Sequence, residues 1–124
     1  MIPFFDYRPE YARHAADFEA AVRRVLESGR LILGPEVEAF EQEFAAAMQA
    51  RGAVGVASGT DAILLALRTL EVGPGDEVIT VSNAGVPPAA AIRAIGAVPV
   101  LVDVDPRTLT IDPAAVRAAL GPRT

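Results

Sequence analysis

Short runs of Val, Ile and Leu alternate with helical stretches across residues 53–124, and this alternation restricts the possible folds more than any other feature. Ala53-Val54-Gly55-Val56-Ala57 meets the turn Ser58-Gly59-Thr60-Asp61 and passes directly into Ala62-Ile63-Leu64-Leu65-Ala66-Leu67. After Gly73-Pro74-Gly75-Asp76 comes a second run, Glu77-Val78-Ile79-Thr80-Val81. Pro87-Pro88 opens a helical stretch that continues to Ile95 and stops at Gly96, and Val98-Pro99-Val100-Leu101-Val102 follows. Asp112 and Pro113 supply the cap and first position of a helix over 113–120. Strands separated by helices need crossover connections, which give a parallel sheet. Runs that are apolar throughout suit a sheet covered on both faces. The sequence predicts an α/β fold with strands at 53–57, 77–81 and 98–102 and helices at 60–70, 87–95 and 113–120.

The first 52 residues have a different pattern. Residues 1–10 carry two prolines and three aromatics and read as an extended arm. Tyr11, Ala15, Phe18, Val22, Val25 and Leu26 follow a helical spacing that Ser28-Gly29 ends. Pro35 suits the first turn of a second helix, in which Val37, Phe40, Phe44 and Met48 form one stripe while Glu36, Glu41 and Glu43 face water. Arg51-Gly52 is the expected stop. The organisation expected is an arm and two helices over 1–52, then a βαβαβ unit over 53–124. Three strands are few for a doubly wound sheet, and Gly121-Pro122-Arg123-Thr124 stands where a fourth would return. The chain is therefore expected to be part of a larger sheet domain. No internal repeat or low-complexity segment is present.

Composition excludes several classes of function. Of 124 residues, 52% are hydrophobic, enough for a real core. A net charge of −5 argues against a nucleic-acid surface, which would show clustered Arg and Lys. No apolar run reaches the roughly 18 residues needed to span a bilayer. The start, Met1-Ile2-Pro3-Phe4-Phe5-Asp6, lacks the features of a signal peptide, so a cytoplasmic setting is expected. Without Cys there are no disulfides or thiolate metal sites, and the one His, His14, cannot make a multi-His metal site. All eleven basic residues are Arg. Chemistry that needs an amine side chain for a Schiff base is thus not available to these residues alone.

Ligands of open α/β sheets bind at the carboxyl ends of the strands, which directs attention to three segments: 58–61, 82–86 and 103–105. A strand–turn–helix junction aims unpaired backbone N–H groups and the positive end of a helix dipole at one point, which favours a phosphate. Gly59 lets the backbone approach an anion, and Thr60 adds a hydroxyl donor. Ser, Thr and Asp also cap helices well, so 58–61 is open to a purely structural reading. The segment is neither a Walker loop nor a G-x-G-x-x-G fingerprint. Asn83 suits a turn or a ligand contact, Asp105-Pro106 an ordinary turn, and Asp103 either role. His14 reads as a structural or solvated side chain.

Four motifs in order resemble the DegT/DnrJ/EryC1/StrS family. They are Leu33-Gly34-Pro35-Glu36-Val37-Glu38-Ala39-Phe40-Glu41, Val54-Gly55-Val56-Ala57-Ser58-Gly59-Thr60-Asp61-Ala62, Gly73-Pro74-Gly75-Asp76-Glu77-Val78-Ile79-Thr80 and Val102-Asp103-Val104-Asp105-Pro106. The resemblance covers nearly the whole chain. It implies a three-layer, mostly parallel sheet of the fold-type-I large domain, incomplete here. It also implies pyridoxal 5'-phosphate as cofactor, with an amino group passing from an amino-acid donor to a nucleotide-linked keto sugar in a homodimer. The family's phosphate-holding Ser-Gly-Thr turn falls on Ser58, Gly59 and Thr60, with Gly59 and Thr60 making the contacts and Ser58 shaping the turn. Residues near Gly85, Val86 and Pro87 would lie against the cofactor ring.

Two departures stand out. The aromatic that stacks on the ring in many members, shortly after the Asn matched by Asn83, is missing from Asn83-Ala84-Gly85-Val86-Pro87-Pro88. The family's Schiff-base Lys and its pyridine-pairing Asp belong to a later part of the chain than these residues, so no catalytic residue is assigned and the chain alone is expected to be inactive. Three other readings stay open from sequence: a sugar dehydratase of the same family, a non-catalytic binding or dimerisation fragment, and a Rossmann-type nucleotide binder.

Overall fold

In the computed structural model, which describes residues 3–124, helix α1 (Arg8–Ser28) begins before the predicted Tyr11. Asp6 accounts for the early start. Its carboxylate accepts the Arg8 backbone N–H at 3.0 Å and the Arg8 guanidinium at 2.8 Å, and Pro9 follows in the first turn. Met1 and Ile2 of the expected arm lie outside the described residues. Gly29 ends α1 in the left-handed region, φ 66°, with its N–H on the Leu26 carbonyl.

Helix α2 (Pro35–Ala47) opens at Pro35 as expected. Its stop is not Arg51-Gly52 but Gln49, at φ 53°. The Gln49 N–H reaches the Ala46 carbonyl at 3.1 Å and the Ala50 N–H the Ala45 carbonyl at 2.9 Å, a closing pair that serves the last carbonyls without a glycine. Arg24 holds Glu36 through two hydrogen bonds of 2.6 and 3.1 Å, and Arg30 holds Glu38 at 3.3 Å. Glu36 is therefore paired, not simply solvated. The Phe40 and Phe44 rings meet at 5.7 Å, tilted by 36°, although Phe40, Phe44 and Met48 all stay exposed.

The chain divides into two compact units, Met1–Gly55 and Val56–Thr124. In the second, α3 (Gly59–Thr69) precedes β1 (Glu77–Val81), α4 (Val86–Ala94), β2 (Val98–Val102) and α5 (Pro113–Ala119). The expected α/β class and parallel pairing are observed. Strand β1 pairs with β2 in parallel, from Glu77↔Val98 to Val81↔Val102. The ladder is extended by the Val98 N–H on the Asp76 carbonyl and the Ser82 N–H on the Val102 carbonyl. Ile92, Ile95 and Ala97 form the core, with Leu64, Leu67, Val72 and Val78 packed against it.

The predicted strand at 53–57 does not form. The sheet has two strands, and residues 52–56 pair with no strand among the described residues. The Gly55 N–H goes instead to Glu41 Oε1 at 2.7 Å, so Glu41, expected to face water, is half-buried and engaged. An apolar run can satisfy the side-chain requirement of a strand, but a ladder also needs a neighbouring edge.

Gly96 shows how tightly the second unit is closed. Its φ of +84° disfavours any L side chain, and an added Cβ would lie 2.9 Å from Pro74 Cγ. Gly96→Ala is expected to cost about 2–3 kcal/mol in chemical denaturation, combining left-handed strain with a clash against a stiff ring. Gly73 has nothing within 4 Å of an added Cβ and no positive φ, so Gly73→Ala should stay within about 0.5 kcal/mol. Equal costs for the two would show that the Pro74 contact does not constrain the fold.

Candidate functional site

α4 runs from the carboxyl end of β1 back to the start of β2, and α3 packs beside it and returns through residues 70–76 to the start of β1. This topology sets the N-termini of α3 and α4 at the carboxyl ends of the strands, where open α/β sheets bind ligands.

Ser58 is the N-cap of α3, with extended backbone at φ −160° and ψ 163°. Its Oγ accepts the Asp61 N–H at 3.1 Å, and its hydroxyl donates to Asp61 Oδ2 at 2.8 Å. The Ser58 carbonyl accepts the Ala62 N–H at 3.0 Å, the first bond of the helix. The N–H groups of Gly59 and Thr60 find no acceptor among the described residues, and neither does the Thr60 hydroxyl. These are the orphan donors of a helix start, aimed along the dipole axis. Nothing in the chain's own packing requires glycine at 59. Its φ is not positive, and an added Cβ meets no atom within 4 Å. The residue leaves room above two unpartnered amides.

The start of α4 has a different chemistry. Gly85 is the N-cap at φ −60°, with no side-chain cap, and Val86 at the first position is 78% exposed. Pro87 and Pro88 remove the next two N–H donors. This end offers an aliphatic surface and few amides, so it is poorly suited to an anion and well suited to an apolar face.

The remaining candidates are structural. Asn83 Nδ2 donates to the Leu109 carbonyl at 3.3 Å and ties the loop after β1 to the loop after β2. Asp105 accepts the Arg107 backbone N–H at 2.8 Å and the Arg107 guanidinium at 3.3 Å, which together hold its carboxyl below the usual range, the backbone bond contributing most. That is the turn predicted for Asp105-Pro106. The Asp103 carbonyl accepts the Asp112 N–H at 3.3 Å, while its side chain stays exposed. His14 lies 3.5 Å from Glu10 and 4.0 Å from Asp17, edge-on to Phe18 at the kink of α1. It is a half-buried side chain between two carboxylates of its own helix.

Four cavities, of about 620, 260, 650 and 250 Å³, are lined by residues between 11 and 53. None of the four is bordered by Ser58, Gly59, Thr60, Gly85 or Val86; Thr60 is half-buried and the other four are exposed. Sequence reasoning did not pair Ser58 with Asp61, although the Ser-x-x-Asp spacing carries that signal. No helix among the described residues is long and apolar enough to cross a membrane.

Comparison with known proteins adds to this geometry. The model of the DegT/DnrJ/EryC1/StrS aminotransferase family matches residues 12–124. The chain is 49% identical over 123 residues to a dTDP-3-amino-3,4,6-trideoxy-alpha-D-glucose transaminase of Streptomyces venezuelae, covering 99% of this chain and 32% of that protein. It is 44% identical over 124 residues to a UDP-2-acetamido-2-deoxy-3-oxo-D-glucuronate aminotransferase of Pseudomonas aeruginosa, covering 100% of this chain and 34% of the relative. Among solved structures, S. venezuelae DesV in complex with a ketimine intermediate superposes with a TM-score of 0.94 at 49% identity, over 99% of this chain and 33% of DesV. The Bacillus subtilis protein NtdA with bound cofactor PMP gives 0.91 at 34% identity, over 99% of this chain and 28% of NtdA. The chain thus spans about a third of the length of these relatives. With its four motifs in order and its backbone superposing throughout, the chain belongs to the DegT/DnrJ/EryC1/StrS aminotransferase family.

Proposed function

We propose that these residues hold the phosphate end of pyridoxal 5'-phosphate in an aminotransferase that moves an amino group from an amino-acid donor to a nucleotide-linked keto sugar, working as a homodimer. The observation that carries this reading is the pair of amides at Gly59 and Thr60, unpartnered among the described residues, on the turn that opens α3 in a chain whose family includes a structure containing PMP. The names of the relatives, dTDP- and UDP-sugar transaminases, support a nucleotide-linked sugar substrate.

The donor set fits a phosphate ester. The Gly59 and Thr60 N–H groups and the Thr60 hydroxyl would bind its oxygens, charge-assisted by the helix dipole. Ser58 and Asp61, locked together, orient the first turn. Gly85, Val86 and Pro87 would cover one face of the ring by aliphatic contact and keep water from it, in place of an aromatic stack. The cofactor, when bound, supplies an electron sink. The amine that would carry it is not among these residues, which contain no Lys.

Titration of the chain with pyridoxamine 5'-phosphate and with pyridoxamine tests this directly. Neither ligand carries an aldehyde, so only non-covalent binding is read. Two charge-assisted hydrogen bonds predict at least tenfold tighter binding of the phosphorylated form. Equal affinities would remove the phosphate site.

A further inference from the structure

The Ser58 hydroxyl has one proton, and it is committed. It goes to Asp61 Oδ2 at 2.8 Å, while Ser58 Oγ accepts the Asp61 N–H at 3.1 Å. The pair closes on itself, so in this arrangement Ser58 has no proton to offer an oxyanion. A carboxylate also stands at the third position of α3, within one turn of the Gly59 and Thr60 amides. Near a helix start such a carboxylate complements the dipole, yet it repels any other anion bound there.

Resting on the phosphate reading of this turn, we propose that Asp61 is a positioning residue that sets which charge state of the phosphate the turn accepts. It withholds the Ser58 hydroxyl and disfavours the dianion more than the monoanion. No cation offsets it within the first turn of α3. Arg68, on the same helix, is in the last turn. In α4, the helix packed on α3, the first turn is Val86, Pro87 and Pro88, and its charged residue Arg93 is in the last turn. Asp103 and Asp105, the latter held by Arg107, follow β2 at the same end of the sheet.

The effect has a definite form. One unit charge acting across about a helical turn in water changes affinity roughly threefold per ligand charge. A monoanion then loses about threefold and a dianion about tenfold. A phosphate monoester gives up its second proton near pH 6, so the penalty grows as pH rises through that value.

The test compares pyridoxamine 5'-phosphate affinity of the wild-type chain with that of Asp61→Asn at pH 5 and pH 8. Asn keeps an acceptor oxygen for Ser58 and removes the charge. Ring ionisations of the ligand, and those of every group common to both proteins, cancel in the ratio. The variant should bind about threefold more tightly at pH 5 and about tenfold more tightly at pH 8. Asp61→Ala, which also frees the Ser58 hydroxyl, should show the same rise with pH above a larger constant gain. A merely structural role would move affinity equally at both pH values. A ratio that does not change with pH, or weaker binding by Asp61→Asn, overturns the proposal while leaving the phosphate site standing. Wild-type binding that ignores the phosphate overturns both.

Discussion

Ile92→Ala is expected to lower the free energy of unfolding by about 3 kcal/mol, on the order of a hundredfold in the folding equilibrium. Ile92 is 1% exposed, the largest fully buried side chain of the described residues. It sits in α4 and packs with Ile95 and Ala97, which follow that helix, while Leu64 and Leu67 of α3, Val72 and Val78 close over this cluster. Truncation removes three buried carbons and leaves a cavity that two helices and a strand must collapse to fill. Close-packed interiors relax only partly, so the lost transfer energy and the cavity add. Val86 is the control, since at 78% exposure Val86→Ala should stay within about 0.5 kcal/mol. Urea unfolding with an unchanged denaturant slope would register both values. A loss below about 1 kcal/mol for Ile92→Ala would show that α3, α4 and β1 are not held by this cluster.

Gly59→Val should abolish most phosphate-dependent binding without destabilising the chain. The expected loss is about 10- to 100-fold in affinity for pyridoxamine 5'-phosphate, the equivalent of one or two charge-assisted hydrogen bonds. The physical basis is that glycine at 59 answers no requirement of the fold. The backbone there is not left-handed, and the space over Cα is open. A branched side chain fits the chain and obstructs the approach of an anion to the Gly59 and Thr60 amides. Stability and binding should therefore separate, with thermal unfolding unchanged within experimental scatter and binding lost. This is the reverse of Gly96, where the fold itself demands glycine. Unchanged affinity in Gly59→Val would mean that the anion does not approach over this residue.

Much of the fold was legible because local chemistry and tertiary context agree. β1 and β2 fall at the predicted residues, with Gly75 at φ +97° in the turn before β1 and Gly96 at φ +84° before β2. Asp112 caps α5 through Ala114, as the Asp-Pro pair signals. Where reading failed, the missing information was non-local. Residues 53–57 have a strand's composition, but no ladder partner among the described residues. The Glu41 carboxylate takes the Gly55 amide, a contact across 14 residues that a helical wheel cannot show. Gln49 and Glu71 end helices in the left-handed region, at φ 53° and 60°, where sequence rules look for glycine. At the candidate site, the turn and its cap could be read from Ser58 to Asp61, whereas the direction of the Ser58 proton required coordinates.

Residue-resolved amide chemical shifts, followed while pyridoxamine 5'-phosphate is added to the chain, probe the central claim most directly. The Gly59 and Thr60 amides should move downfield together and saturate with one dissociation constant, while the Asp61 amide, already bonded to Ser58, moves little. Addition of pyridoxamine should leave them in place. Saturable shifts elsewhere, with Gly59 and Thr60 unmoved, would contradict the assignment of the phosphate to this turn.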